Sequence, residues 1–381
     1  MQQQRTRDRE REREQHVQDY EWNESRSKES ARRVKLMNER PRVIKFDDVP
    51  WEQSQAAYHK IYTTYDTDTA ERKSWSALTG TLRLMMQTLP TGHKNGNHRH
   101  IAEVPFYIHE GKGHEVHDGK RHDWEAGDLM LVPPYTMHQH FCDEGPALMV
   151  YCQAGHGPFT GTASSQGGEQ LETHGEWKLP DDAVPFYAAN GDMVGYRRNG
   201  VELFLKNENE QQKALASRTF DTPPPPTHEV TDSYEWYIRQ FEEECHWRQN
   251  VPQVVKPSQR QWENTRQGKI MWFLHPAMDT MQVGMKLFEV YIQELPPNGK
   301  SGKHRHMGDE IHFIIEGEGY DEIEGKRWDW AKQDAVSIPN LNTHQSFNAS
   351  ATEPAKFLVY KSRTFDYSSF AGIEHFEDAS S

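Results

Sequence analysis

Residues 304–319 read HRHMGDEIHFIIEGEG, and residues 98–113 read HRHIAEVPFYIHEGKG. Each stretch sets two histidines one residue apart, then an apolar run, then a charged residue between two glycines. A strand turns alternate side chains to one face. His304 and His306 therefore share a face, while Arg305 takes the other. Glu310 and His312 form a second same-face pair in the strand that follows. In the earlier copy the place of this acid is held by Val104.

The likeness extends far beyond the motif. QTLPTGHKNGNHRH from Gln87 matches QELPPNGKSGKHRH from Gln293 at an offset of 206. KRHDW and KRWDW, Pro133 and Pro339, and His138 and His344 keep that offset without a gap. Self-similarity of this length marks a duplicated unit. The runs TLRLMMQTL, HDWEAGDLMLVPP and ALMVYCQ are short, apolar and broken by Gly, Pro and Asp, which predicts strands. The chain reads as two copies of one β-rich domain.

A chain of 381 residues suits about two domains. Its net charge of −14 argues against nucleic acid, whose phosphates need concentrated Lys and Arg. No stretch approaches the ~20 consecutive apolar residues of a membrane helix. The opening MQQQRTRDREREREQ has no apolar core and carries many acids. Neither a secretory signal nor a mitochondrial presequence is expected there, and a cytoplasmic location is. Cys142, Cys152 and Cys245 form no CxxC pair, so buried thiols are expected rather than disulfides or structural zinc.

Residues 1–45 are dense in mixed charge and are expected to be mobile. An N-terminal domain over 46–206, a Pro-rich linker over 207–230 containing PPPP, and a C-terminal domain over 231–381 follow. Two helices are predicted. One covers 51–62, after Pro50. The other begins at Asp232, where Glu235 completes a capping box, and sets Tyr234, Tyr237, Ile238 and Phe241 on one face. That face is expected to pack on a sheet or a neighbouring subunit.

Both copies resemble the two sequence motifs of cupins. The first shows Gly92, His98, His100 and Gly111, then Gly127, Pro133 and His138. The second shows His304, His306, Glu310 and Gly317, then Pro339, His344 and Asn348, with Asn298 and Gln333 in place of two glycines. The resemblance covers about 80–153 and 285–360. It implies an all-β bicupin, two double-stranded β-helix (jelly-roll) barrels with peripheral helices. Among bicupins, the paired HRH, the EGxG turns and the DW before the second motif resemble gentisate 1,2-dioxygenase and its relatives. That implies extradiol-type ring cleavage by a homo-oligomer, dimer or tetramer, with one or two Fe(II) per chain.

Three imidazoles and a carboxylate suit a first-row divalent ion. About two octahedral positions stay open, the mark of a reactive rather than a structural site. Fe(II) is the first choice and Mn(II) the alternative. A single histidine on an apolar face is ordinarily a hydrogen-bonded core residue. The full set His304, His306, Glu310 and His344 at motif spacing argues instead for metal. The first copy keeps His98, His100 and His138, a three-histidine set like that of gentisate relatives, while Glu103 should face away. Val104 and Phe106 are expected to line an aromatic-substrate pocket, with His140 and His312 as acid–base candidates beside the ligands. Gentisate relatives carry an arginine shortly after HRH, which is replaced here by Phe106 and His312. A hydroquinone, a catechol-like ring or another phenol is therefore as consistent as gentisate, with O2 as co-substrate.

Two other readings compete with a dioxygenase. The complete second set suggests a Mn(II)-dependent bicupin of the oxalate decarboxylase kind. A non-catalytic binding or storage bicupin would generally have lost its ligands, and this chain has kept them.

Overall fold

In the computed structural model the described residues are chiefly 39–53, 57–64, 76–154 apart from 101 and 135, 229–277, 285–364 and 372–380. Short strands Glu169–Gln170, Val184–Tyr187, Met193–Arg198 and Val201–Phe204 lie between these blocks. Most of the charged segment 1–45 and of the linker 207–230 lies outside the described residues.

The described residues form two barrels built almost wholly of antiparallel strands. In the second barrel one sheet runs Val43–Ile44, Ala335–Ile338, Glu310–Glu316, Ala355–Ser362, Phe288–Leu295, Gly268–Leu274, Trp262–Thr265. The other runs Lys326–Ala331, Glu318–Ile323, His344–Asn348, Lys303–His306, Ile373–Glu377. The first barrel repeats the larger sheet in the order Val254–Val255, Leu129–Val132, Val104–His117, His138–Ala154, Leu82–Leu89, Tyr58–Ile61, Glu52–Gln53. Its strands Val104–His117 and His138–Ala154 are long enough to serve both layers.

The alternation in LRLMMQTL decides which core each side chain enters. Met85 and Leu89 join the interior of the first barrel. Leu82, Leu84 and Met86 face outward and pack with Phe273, Phe288, Phe313 and Tyr360 of the second barrel. Three apolar clusters result: one in each barrel, and one between the barrels. Cys142 and Cys152 are buried free thiols, as expected.

The EGxG turns have a steric cause. Gly111 and Gly317 have φ of +94° and +88°, a region that L side chains rarely adopt. Two residues on, a Cβ at Gly113 or Gly319 would lie 2.0 or 2.1 Å from the carbonyl oxygen of Phe141 or Phe347, and close to the ring of Trp124 or Trp330.

Each barrel takes its edge strand from the segment that precedes the other. Val43–Ile44 pairs with Ala335–Val336, and Val254–Val255 pairs with Leu129–Met130. Lysines secure both crossings: Lys45 Nζ donates to Asp334 at 2.7 Å, and Lys256 Nζ to Asp128 at 2.9 Å. Residues 43–45 thus belong to the fold and not to the charged leader.

A second symmetric pair of clasps lies beside the motifs. Glu103 accepts from the backbone N–H of Lys286 and Leu287 at 2.9–3.0 Å. Asp309 accepts from those of Gly80 and Thr81 at 2.6–2.7 Å. The outward turn expected of Glu103 delivers it to the other barrel. Glu103→Ala would leave the part-buried N–H groups of Lys286 and Leu287 without their acceptor, so a loss of about 1–2 kcal/mol is expected. A shift of the urea unfolding midpoint is the check, and an unchanged midpoint would refute the clasp.

Two helical expectations need correction. The described residues of 51–62 are not helical: Glu52–Gln53 and Tyr58–Ile61 are strands, and Tyr58–Ile61 pairs with Met85–Thr88. Sheet pairing that buries Ile61 outweighs a weak local helical preference. The helix Ser233–Asn250 does form, with the Asp232 carboxylate accepting from the N–H of Tyr234 and Glu235. Of the two expected partners for its apolar face, a sheet of this chain is not the one: Tyr234 is 71%, Tyr237 66% and Phe241 56% exposed within the chain. Among the described residues no helix is long and apolar enough to cross a membrane.

Candidate metal centres

In the second barrel the strand Lys303–His306 carries His304 and His306, Glu310 opens the next strand, and His344 opens Val-free strand His344–Asn348 directly opposite His304. Their ligand atoms all lie within 4.8 Å of one another. Glu310 Oε2 is 3.0 Å from His306 Nε2, and Oε1 is 3.5 Å from His344 Nε2. Each ring turns Nδ1 to a main-chain carbonyl: His304 to Gly302, His306 to Met307 and His344 to Asn342, at 3.0–3.3 Å. A carbonyl can only accept, so Nδ1 is the donor there, and on metal binding Nε2 would present its lone pair to the centre.

The first barrel builds the same arrangement without an acid. His98, His100 and His138 meet with ligand atoms within 4.8 Å of one another. Their Nδ1 atoms donate to the carbonyls of Gly96, Ala102 and Thr136 at 2.7, 2.8 and 2.9 Å. Val104 is fully buried where the second barrel has Glu310.

Electrostatics favour the neutral imidazoles that metal binding requires. Burial pulls His98 down to about 4, His100 to about 3 and His304 to about 2, and holds His138 well below its usual range. Burial alone would raise Glu310, but His306 and the hydrogen bond from His312 hold it well below the usual carboxylate range. The Nε2 atoms of His138 and His344 are buried with no hydrogen-bond partner. Such an orphan is costly unless something outside the chain satisfies it. Both donor sets fit a divalent metal.

Around these sets the barrels diverge. In the first, Glu115 is buried and bridges two histidines, meeting His117 Nε2 at 2.8 Å and His140 Nδ1 by a short hydrogen bond. His117 Nδ1 reaches Gln253 of the crossover segment at 3.0 Å. Burial would raise Glu115, but His140 and His117 outweigh it and lower it to about 2. The free Nε2 of His140 is buried without a partner, and its ring lies 4.6 Å from that of Phe106. Phe106 in turn stacks on Tyr151 at 4.5 Å. In the second barrel His312 instead serves the acid: its Nε2 is 2.7 Å from Glu310 Oε1, and its Nδ1 is 3.4 Å from Asp321. Burial lowers His312, yet Asp321 and Glu310 together raise it to about 9. It stacks on Phe357 at 4.5 Å.

The strand register also sets a row of side chains across the metal level of each barrel. In the second, Glu310 lies opposite Lys361, and Lys361 opposite Glu289, with Lys361 Nζ donating to Glu289 at 2.9 Å. In the first, Arg83 lies opposite Gln153. Continuing the Tyr151–Phe106 pairing by two residues sets Gln153 beside Val104.

Sequence reasoning overlooked Glu115, His117 and Gln253. The E-x-H spacing of Glu115 and His117 was a usable signal, since it places both on one face of a strand. Gln253 had none, because it arrives from the other half of the chain.

A family profile described as the cupin domain matches residues 85–152 and 291–360. The gentisate 1,2-dioxygenase 1 of Aquipseudomonas alcaligenes is 23% identical over 274 residues, which cover 70% of this chain and 67% of that protein. The 1-hydroxy-2-naphthoate 1,2-dioxygenase of Nocardioides sp. (strain KP7) is 22% identical over 283 residues, 73% of this chain and 62% of that one. The chain thus spans about two thirds or less of the relatives' length. Among solved structures, oxalate decarboxylase from Bacillus subtilis at pH 4.6 superposes with a TM-score of 0.53 and 14% identity, covering 88% of this chain and 78% of that one. That likeness concerns the fold.

Proposed function

Starting from a chain that carries the cupin domain twice and folds as a bicupin, we propose an Fe(II)-dependent dioxygenase that cleaves the ring of a hydroxylated aromatic compound. The first barrel is its reaction chamber. Distant likeness to two dioxygenases supports metal-dependent oxidoreductase chemistry at the coarser level. The observation that carries the finer reading is the contrast between the two rows. The second barrel fills its row with Glu310, Lys361 and Glu289, whereas the first leaves a three-histidine centre beside Val104 and an aromatic wall of Phe106 and Tyr151.

When bound by His98, His100 and His138, Fe(II) supplies a Lewis acid and a path for electron density between ring and O2. The chain supplies the rest. Phe106 and Tyr151 hold a flat ring. Val104 keeps a competing carboxylate out of the open positions. Glu115 accepts the Nδ1 proton of His140, which leaves Nε2 as the base that takes a ring-hydroxyl proton. His117 and Gln253 hold Glu115 in place for that role.

The second centre favours a different reading for itself, a Mn(II)-dependent oxalate decarboxylase-like activity, because Glu310 completes its ligand set. One experiment separates the two. Metal-free protein is reloaded with Fe(II) or Mn(II) and offered gentisate, hydroquinone, catechol, 1-hydroxy-2-naphthoate or oxalate. Iron-dependent O2 uptake with one of the rings, and a ring-opened product absorbing in the near ultraviolet, is expected. Release of CO2 from oxalate without ring-dependent uptake would reject the dioxygenase.

A further inference from the structure

We infer that the two metal centres are coupled, so that the barrels load cooperatively, and that Glu103 and Asp309 are the positioning residues that carry the coupling. The coupling concerns metal binding and does not depend on which barrel holds the reaction.

Glu103 and Asp309 are 206 residues apart, and so are their partners. Glu103 takes the N–H groups of Lys286 and Leu287, and Asp309 those of Gly80 and Thr81. Thr81 Oγ1 adds a third bond to Asp309 at 2.8 Å. Each pair of partners stands just ahead of a long strand of the opposite barrel, Phe288–Leu295 or Leu82–Leu89. The clasp is therefore repeated with the duplicated unit, and the loop after each histidine pair grips the other barrel. Both carboxylates are buried.

At their other ends the clasps meet the ligands. Ala102, whose carbonyl accepts from His100 Nδ1 at 2.8 Å, directly precedes Glu103. Glu310 directly follows Asp309. Two main-chain bonds join the clasps to each other. Arg363 donates its N–H to the Leu287 carbonyl, and Ser362 donates its N–H to the Asp309 carbonyl, both at 2.9 Å. Gly308 keeps that approach close, since a Cβ there would lie 2.2 Å from the Ser362 carbonyl oxygen. A continuous path thus runs from His100 through Glu103, Leu287, Arg363, Ser362 and Asp309 to Glu310.

Packed and hydrogen-bonded chains of this kind carry energetic coupling between sites. Loading the first centre restricts His100, and with it the loop that holds Glu103 against Leu287. The order reaches Asp309, so the loop that presents Glu310 loses less conformational freedom when its own ion binds. Linkage makes the effect reciprocal: the factor by which the first centre tightens the second is the factor by which the second tightens the first.

Calorimetric titration of metal-free, full-length protein with Mn(II) measures the coupling without turnover. His344→Ala reports the first centre alone, and His138→Ala the second alone. The two stepwise constants of wild type should multiply to about tenfold more than the product of the single-centre constants. Glu103→Gln combined with Asp309→Asn turns amide N–H groups towards backbone N–H donors, and on that background the two centres should titrate independently. Hydrogen exchange reads the path itself. Mn(II) bound to His344→Ala should slow exchange of the Lys286 and Leu287 amides about tenfold, and Mn(II) bound to His138→Ala should do the same for Gly80 and Thr81. A wild-type isotherm equal to the sum of the single centres, or exchange in the opposite barrel that metal leaves unchanged, overturns the coupling. Cooperativity that persists in the clasp variant rejects Glu103 and Asp309 as its carriers.

Discussion

Val104→Glu is expected to lower ring-dependent oxygen uptake by about a hundredfold or more, while iron stays in the first barrel. Val104 is fully buried in the position that Glu310 holds in the second barrel. A carboxylate there would join the three imidazoles and occupy coordination space that ring and O2 need. It would also strengthen iron binding, so loss of activity should accompany retained or higher metal content. Val104→Thr is close in shape and offers no carboxylate, so it should keep most of the activity. Wild-type turnover by an iron-loaded Val104→Glu protein would show that the first barrel is not the reaction chamber.

His138→Ala and His344→Ala should separate the two barrels. The His138 ring lies 4.3 Å from His98 and 4.8 Å from His100, and the His344 ring 4.1 Å from His304. Each substitution removes one ligand and should cost about one metal equivalent per chain, read by elemental analysis. Only His138→Ala should lose ring-dependent uptake, by about a thousandfold. His344→Ala should empty a centre that the proposed reaction does not use. Turnover that survives His138→Ala and disappears in His344→Ala would move the chemistry to the second barrel.

Strand alternation alone placed several residues correctly. It turned Glu103 away from the first centre and brought Phe106 to the inner wall beside Val104. It could not name the partners of Glu103, because Lys286 and Leu287 lie in the other half of the chain. The helix expected over 51–62 failed for a related reason: Ile61 is buried by pairing with Met85, a contact that no local pattern encodes. His312 was legible as a neighbour of the ligands, but its grip on Glu310 and Asp321 was not.

The sequence by itself determined the duplication, the strand-rich character of each half, and the two histidine sets, since all three follow from spacing within short stretches. It also determined the EGxG turns, where glycine is required by a left-handed backbone and by a carbonyl packed against the Cα. Only the tertiary structure decided which side chains share a row. Leu89 and Leu295 are 206 residues apart, but their partners Ala147 and Ala355 are 208 apart, so the last strand of each barrel runs two residues out of the common register. That shift sets Gln153, not Gly155, opposite Arg83, and it makes Lys361 the counterpart of Gln153. The crossing strands Val43–Ile44 and Val254–Val255, and with them Gln253 beside His117, likewise depend on hydrogen bonds between distant segments. Local sequence sets the face to which a side chain turns, while long-range pairing sets its neighbours.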